Sequence, residues 1–206
     1  IGKGGTTILT EVPEMFGAET LLMNRCANRE LFDETVSLIN DFKQYFKDNH
    51  QTIYENPSPG NKKGGISTLE DKSLGCTQKS GSAPVCGVLS YGECVKTSGL
   101  NLLSAPGNDL VAATALAASG AHIVLFTTGR GTPFASPVPT VKISSNSTLA
   151  GKKKNWIDFN AGVLVEDAEL DTVGQQLFDY VIDVASGRKV CSEEAGFHDM
   201  AIFKQG

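Results

Sequence analysis

The sequence lacks the features that identify two large classes of protein. No stretch approaches the ~18 consecutive apolar residues of a membrane-spanning helix, and no such helix is expected. The only basic run is at 152–154, the net charge is −5 and the pI is about 5.2. A nucleic-acid-binding domain needs clustered lysine and arginine on a basic surface. We therefore expect neither a membrane nor a nucleic acid as a partner.

Cysteine is sparse and shows no pairing pattern. The five cysteines include no Cys-x-x-Cys pair, and the three histidines are scattered, so the sequence does not identify metal ligands. A chain of 206 residues does not need disulfides for stability, which predicts reduced thiols and a cytoplasmic location. Lys72 and Lys79 lie on either side of Cys76, and their charges are expected to favour its thiolate form.

The chain opens at Ile1 without a methionine or a signal-peptide pattern. Gly4 and Gly5 look like a turn that feeds a strand, as in the middle of a domain. We expect residues 1–206 to be a single α/β domain within a longer protein. With 40% hydrophobic residues, the chain can bury one sizeable core.

Apolar residues alternate between the periods of strands and helices. This pattern predicts a mostly parallel, Rossmann-like sheet with flanking helices. Asn108 or Asp109 is suited to cap the helix that follows them. Strands are expected at 6–10, 84–89, 101–104, 123–127, 138–144 and 156–159, and helices at 30–47, 110–118 and 173–185.

Residues 56–81 interrupt this pattern. They are rich in Gly, Pro, Ser and Lys and show little hydrophobic periodicity. Long segments of this kind within a compact domain are usually functional or disordered. We therefore predict a long functional loop.

Three polar, glycine-rich segments follow predicted strands, at 104–109, 127–133 and 157–162. Ligands of open parallel sheets bind beyond the carboxyl ends of the strands. Arg130 stands between Gly129 and Gly131, and its guanidinium could grip a carboxylate through two hydrogen bonds. The alternative is an exposed arginine in a flexible turn. Phe134 replaces the third glycine of Gly-x-Gly-x-x-Gly, so a dinucleotide site is not expected.

Asp109 and Asp158 are the carboxylates best placed for metal binding or proton transfer. Each also has a structural explanation. Asp109 could cap a helix, and Asp158 could be a hydrogen-bonding group at the end of a strand.

Several long segments resemble the altronate dehydratase and D-galactarate dehydratase family, in matching order from about Gly5 to Lys204. The closing AIFK (201–204) is more similar to altronate dehydratase. The segments are NPSPGNKKGGISTLEDKSLGCTQKSG (56–81), YGE (91–93), GLNLLSAPGND (99–109), LFTTGRGTP (125–133), VPTVKISSN (138–146) and WIDFNAG (156–162).

The resemblance implies a hydro-lyase that converts a six-carbon sugar acid, altronate first, to 2-keto-3-deoxygluconate. It also implies a divalent metal, iron(II) or manganese, and a chain that lacks the family's small amino-terminal domain. The expected partners are the sugar acid and identical copies of the chain. Two alternatives remain open. The chain could be a binding or assembly module without catalysis of its own, or a domain that binds a phosphorylated ligand at 106–109.

Under this interpretation Arg130 clamps the substrate carboxylate. Lys72, Lys79 and Lys142 are candidates for the base, the acid or a substrate anchor. The predicted substrate-binding residues are Asn61, Asn108, Asp109, Thr128, Gly129, Gly131, Thr132, Asn146, Asp158 and Asn160.

Overall fold

The computed structural model describes residues 1–53, 57 and 59–204. It divides into two compact units, one formed by 1–119 with 203–206 and the other by 120–202. Each unit contains a three-stranded parallel sheet flanked by helices. The predicted α/β class and parallel pairing are confirmed. The sequence pattern predicted one sheet, whereas the strands form two sheets, one in each unit.

The first unit is built on strands β1 (Thr7–Leu9), β2 (Val85–Leu89) and β3 (Leu100–Leu103), arranged in the order β1-β3-β2. Parallel neighbours cannot be joined by tight hairpins, so long connections cross between them. These connections carry a 3₁₀ helix (Val12–Met15) and helices α1 (Thr20–Met23), α2 (Arg29–Asp48), α3 (Pro59–Lys63) and α4 (Leu69–Gln78). Helix α5 (Asp109–Ala118) follows β3.

Helix α2 shows why the longest predicted helix was found from sequence. Asn28 caps its start, accepting a hydrogen bond from the Leu31 amide at 2.9 Å. One face of the helix carries Leu38, Ile39 and Phe42 into the core of the first unit. The observed helix extends the predicted range by one residue at each end.

The segment 56–81 corrects the prediction of a loop. Asn56 and Ser58 lie outside the described residues, but much of the remainder is helical, in α3 and α4. Thr68 caps α4 by accepting from the Asp71 amide at 3.1 Å. The buried positions of α4 are Ser73 and Thr77. Because these side chains are small and polar, the helix has no apolar stripe for a sequence pattern to reveal.

The second unit is built on strands β4 (Val124–Thr128), β5 (Thr140–Ser144) and β6 (Phe159–Asn160), arranged in that order. Its helices are α6 (Ser147–Lys152), a 3₁₀ helix (Ala161–Val165), α7 (Leu170–Ala185) and α8 (Cys191–Glu194). The strand predicted at 156–159 begins later than expected, because the Trp156 and Ile157 amides turn back to the Lys153 carbonyl at 2.9 and 3.1 Å.

The core of the second unit lies between β5 and α7. Val141 and Ile143 of the central strand pack with Val184 and Val190. Gly187 ends the α7 region with a φ of 106°, a conformation that glycine adopts without strain. Within the part of the chain that the structure describes, no helix is long and apolar enough to cross a membrane.

Candidate functional site

In the first unit, ionisable side chains gather at the carboxyl edge of the sheet. They come from the segment after β1, from α4 and from the start of α5. This is where ligands of parallel sheets bind. We call this group the acid–base cluster; its members are Glu11, Glu14, Lys72, Cys76, Lys79 and Asp109.

Glu11 has an unusual backbone. Its φ of 67° and ψ of 59° lie in the left-handed region, which only three non-glycine residues adopt in the described ranges. Such a conformation costs on the order of 1–3 kcal/mol and persists where the surroundings enforce it. Thr10 donates its hydroxyl to the Leu103 carbonyl at 3.0 Å, and the Val12 amide donates to the Ala105 carbonyl at 3.0 Å. Both neighbours of Glu11 are thus tied to the end of β3 and the segment after it.

Glu14 is buried and lies at the centre of the polar contacts. Lys72 Nζ lies 2.6 Å from Glu14 Oε1, and Cys76 Sγ donates to Glu14 Oε2 at 3.0 Å. A buried carboxylate needs such partners, because removing a charge from water is costly. Lys72, a predicted catalytic residue, is therefore the ion-pair partner of a carboxylate that the sequence analysis did not name.

Two other carboxyl groups of the cluster bind protons more tightly than usual. Burial, reinforced by the charge of Glu14, raises the pKa of Glu11 from 4.5 to about 7. Burial also raises the pKa of Asp109, and the charge of Glu14 is the second cause. Lys72 and Lys79 oppose both shifts. The cluster can therefore donate and accept protons near neutral pH.

The expected thiolate at Cys76 is wrong. Burial raises the pKa of the Cys76 thiol to about 12, and the charge of Glu14 adds to that effect. Lys79 lowers the pKa, but not enough to offset burial. The positive charge of Lys72 is engaged by Glu14. Cys76 acts as a hydrogen-bond donor to Glu14 in this structure.

The other predicted residues of the first unit have separate positions. Lys79 is exposed and caps the carboxyl end of α4. Asn108, not Asp109, caps α5 by accepting from the Val111 amide at 3.2 Å. Asn61 lies in α3. Only Lys72, Lys79 and Asp109 of the predicted residues join the acid–base cluster.

In the second unit, residues 127–133 form the arginine loop at the carboxyl end of β4. The Thr128 hydroxyl accepts from the backbone amides of Arg130 at 3.3 Å and Gly131 at 2.9 Å. Gly131 has a φ of 79°, which favours glycine. The fold of the loop leaves the Arg130 side chain exposed. Thr132, also predicted to bind substrate, is partly buried just beyond it.

Two asparagines link the loops at this edge of the second sheet. Asn146 donates to the Gly129 carbonyl at 3.1 Å and caps α6, accepting from the Leu149 amide at 2.8 Å. Asn160 donates to the Ser147 hydroxyl at 2.9 Å and accepts from the Gly162 amide at 3.0 Å. Asn146 therefore ties the arginine loop to the start of α6, and Asn160 ties the start of α6 to the segment after β6.

Lys142 and Asp158 belong to the interior of the second unit. Lys142 lies in the central strand with only 1% exposure, and burial lowers the pKa of its ammonium. Asp158 accepts from the backbone amides of Lys142 at 2.8 Å and Cys191 at 2.7 Å. These bonds support the structural explanation of Asp158. The Lys142 ammonium lies over the Phe134 ring, with Nζ 5.7 Å from the ring centroid.

Glu11 and Glu14 are the candidate residues that sequence reasoning missed. They follow β1, a predicted strand, in the segment Thr-Glu-Val-Pro-Glu at 10–14. That position was a usable signal, because polar groups after a parallel strand face the ligand-binding edge. The pairing of Glu14 with Lys72 and Cys76 had no local signal, since α4 lies far along the chain.

No group of three or more His, Cys, Asp or Glu side chains in the described ranges is arranged to hold a metal ion. Glu11, Glu14 and Asp109 influence one another electrostatically, but Glu14 is ion-paired with Lys72. The acid–base cluster by itself therefore does not fit a divalent cation.

Comparison with known proteins gives a match over the whole chain. A family model described as "D-galactarate/Altronate dehydratase, C-terminal" matches residues 1–206. An altronate dehydratase of Bacillus subtilis (strain 168) is 63% identical and one of Escherichia coli (strain K12) is 60% identical, each over 100% of this chain and 42% of the relative. A galactarate dehydratase (L-threo-forming) of Escherichia coli (strain K12) is 36% identical over 97% of this chain and 39% of the relative. The chain thus spans less than half the length of these relatives.

Proposed function

The chain belongs to the D-galactarate/altronate dehydratase family, and from this membership we propose that it is the carboxyl-terminal part of a hydro-lyase acting on a six-carbon sugar acid. We propose altronate as the substrate and 2-keto-3-deoxygluconate as the product. The observation that carries this choice is the identity of 63% and 60% to two altronate dehydratases, against 36% to a galactarate dehydratase.

The acid–base cluster supplies the kind of chemistry that this reaction needs. Dehydration of a 2,3-dihydroxy acid requires removal of the weakly acidic hydrogen beside the carboxylate and loss of the neighbouring hydroxyl as water. A positioned base and acid accelerate such steps by about 10²–10⁴-fold. Glu11, whose pKa is raised to about 7, can exchange protons near neutral pH, and burial raises the pKa of the neighbouring Asp109 as well.

The arginine loop is proposed as a carboxylate-binding loop. The Arg130 side chain is exposed, while its backbone is held by Thr128. A planar guanidinium on a fixed backbone can bind both oxygens of a carboxylate. Lys153 donates to the Arg130 carbonyl at 3.3 Å, which adds a second support beneath the loop.

A divalent metal, iron(II) or manganese, is part of the proposal. When bound, such a cation would stabilise the negative charge that develops on the carboxylate oxygens. Within the described residues, no three His, Cys, Asp or Glu side chains are grouped to hold the cation. We therefore propose that ligands outside residues 1–206 hold the metal, so that this chain contributes proton transfer and anion binding.

The test uses the natural full-length protein. Dehydration is measured with altronate, galactarate and a sugar phosphate, each with iron(II), with manganese and after chelation. We expect altronate to be turned over fastest and chelation to remove activity. No turnover of any hexonate or aldarate would contradict the proposed function, and binding of the sugar phosphate alone would favour a phosphorylated ligand.

A second arm tests the division of the site. Residues 1–206 are purified and their unfolding is followed by calorimetry before assay with the same acids. We expect a folded protein without turnover that regains activity when the rest of the enzyme is supplied in trans. Turnover by residues 1–206 alone would show that the whole site lies in this chain.

A further inference from the structure

Glu11 differs from the other carboxyl groups of the acid–base cluster in how it is held. It lies two residues beyond β1, and its left-handed backbone is fixed because Thr10 and Val12 bond the Leu103 and Ala105 carbonyls. The Glu14 amide also donates to the Glu11 carbonyl at 2.8 Å. The backbone that carries this acidic side chain is therefore held in one conformation at the edge of the sheet.

Glu11 also differs in its charge partners. Glu14 is ion-paired with Lys72 at 2.6 Å and accepts from the Cys76 thiol. In the described part of the chain, no lysine, arginine or histidine nitrogen lies within ion-pair distance of the Glu11 carboxyl. Both carboxyl oxygens of Glu14 are engaged by Lys72 and Cys76, so Glu11 is the glutamate of the cluster whose carboxyl is free of an ion pair.

The charged groups around Glu11 come from three elements. Glu14 of the 3₁₀ helix and Asp109 of α5 disfavour its ionised form, whereas Lys72 and Lys79 of α4 favour it. Burial is the largest effect and also disfavours the ionised form, so the pKa of Glu11 is raised to about 7. An efficient general base has a pKa near the working pH, since it must be ionised and still bind a proton well.

We propose that Glu11 is the catalytic base that removes the hydrogen from carbon 2 of the sugar acid, an assignment that rests on the proposed function. The C2–H bond breaks, its electron pair enters the enediolate, and the proton moves to a Glu11 carboxyl oxygen. The C3–O bond then breaks as the enediolate collapses to an enol. The departing oxygen takes the proton from Glu11 and leaves as water, which returns Glu11 to its starting form. The enol tautomerises to the 2-keto-3-deoxy acid.

The experiment compares the full-length wild-type protein with Glu11→Gln, which keeps size and removes the base. Turnover of altronate is expected to fall about 10²–10⁴-fold, and exchange of the C2 hydrogen with D2O is expected to disappear. If Glu11 had only a structural role, the residual turnover of the variant would keep the wild-type dependence on pH. The matched control is Asp167→Asn, because Asp167 is an exposed acid with a φ of 72° in the other unit.

The pH profile gives a second readout. Wild-type kcat/KM for altronate is expected to rise through pH about 7 as Glu11 ionises. Glu11→Asp keeps a carboxyl group at a position that aspartate tolerates better than most residues, so the variant should fold. Its kcat/KM should still fall at low pH, but with a midpoint different from that of wild type; we call this fall the acid limb. If Glu11→Gln does not fold, the wild-type profile and the Asp variant still decide the assignment.

The outcomes separate this assignment from the proposed function. An inactive wild-type protein with every sugar acid would overturn the function itself. If the wild-type protein is active and Glu11→Gln keeps near-normal turnover and C2 exchange, the role of Glu11 is overturned. An acid limb absent from the wild-type profile, or unchanged in Glu11→Asp, would overturn it as well.

Discussion

Replacing Glu11 with Gln should change the stability of the first unit in a way that depends on pH. Burial raises the pKa of Glu11 from 4.5 to about 7, so ionising this group costs free energy in the folded state. Its favourable contribution is present below pH 4.5 and is lost as pH rises through about 7. Each pH unit by which the pKa rises corresponds to about 1.4 kcal/mol, so the full effect is about 3 kcal/mol, an upper figure.

Glutamine mimics the protonated acid at every pH. Glu11→Gln is therefore expected to be more stable than wild type at pH 8.5, by up to about 3 kcal/mol, and to differ from it by less than about 1 kcal/mol at pH 5. The chain's single tryptophan, Trp156, lies in the second unit, so its fluorescence would report on the wrong part of the protein. Amide hydrogen exchange of Leu100–Leu103 in β3 measures opening of the first unit directly.

The control for this measurement is Asp167→Asn, an exposed position where we expect a change below about 0.5 kcal/mol. Two results would refute the reasoning. One is a stability difference between wild type and Glu11→Gln that stays constant from pH 5 to pH 8.5. The other is a Gln variant less stable than wild type at pH 8.5.

Four further substitutions test the remaining geometry. Gly162→Ala places a Cβ closer than 3.0 Å to the backbone of Asn146 and Ser147 and should lower the free energy of unfolding in urea by about 3 kcal/mol. Its control, Gly174→Ala in α7, meets no atom within 4 Å and should raise the free energy of unfolding by about 0.5–1 kcal/mol. Equal effects of the two substitutions would contradict this packing. Lys72→Met removes the ion pair to buried Glu14 and should cost about 3 kcal/mol by calorimetry, and a neutral effect would contradict its structural role. Arg130→Lys keeps the charge but loses the planar fork, so kcat/KM for altronate should fall about 10²-fold; unchanged kinetics would exclude the carboxylate clamp.

The sequence predicted those parts of the fold that have a strong local pattern. Helix α2 has a polar cap and a regular apolar face, so both its existence and its ends could be predicted. Helix α4 could not, because Ser73 and Thr77 fill its buried positions. The arrangement of six strands as two sheets depends on long-range pairing, for which alternating apolar residues carry no information.

The same distinction holds for the candidate site. The arginine loop was identified because Arg130 and its flanking glycines directly follow an apolar strand. The pairing of Glu14 with Lys72 joins residues 58 positions apart, and the unusual protonation of Glu11 depends on burial among groups from three elements. Such properties arise from tertiary packing, so a single sequence predicts the residue types but not their coupling.

The central claim is that the chain forms part of an enzyme that removes water from a sugar acid. The most direct measurement is ¹³C NMR of altronate, labelled at carbons 2 and 3, incubated with the natural full-length protein and iron(II) or manganese. We expect the carbon 2 signal to move to that of a ketone and the carbon 3 signal to that of a methylene, at equal rates. Unchanged altronate, with galactarate also unchanged in the parallel sample, would contradict it.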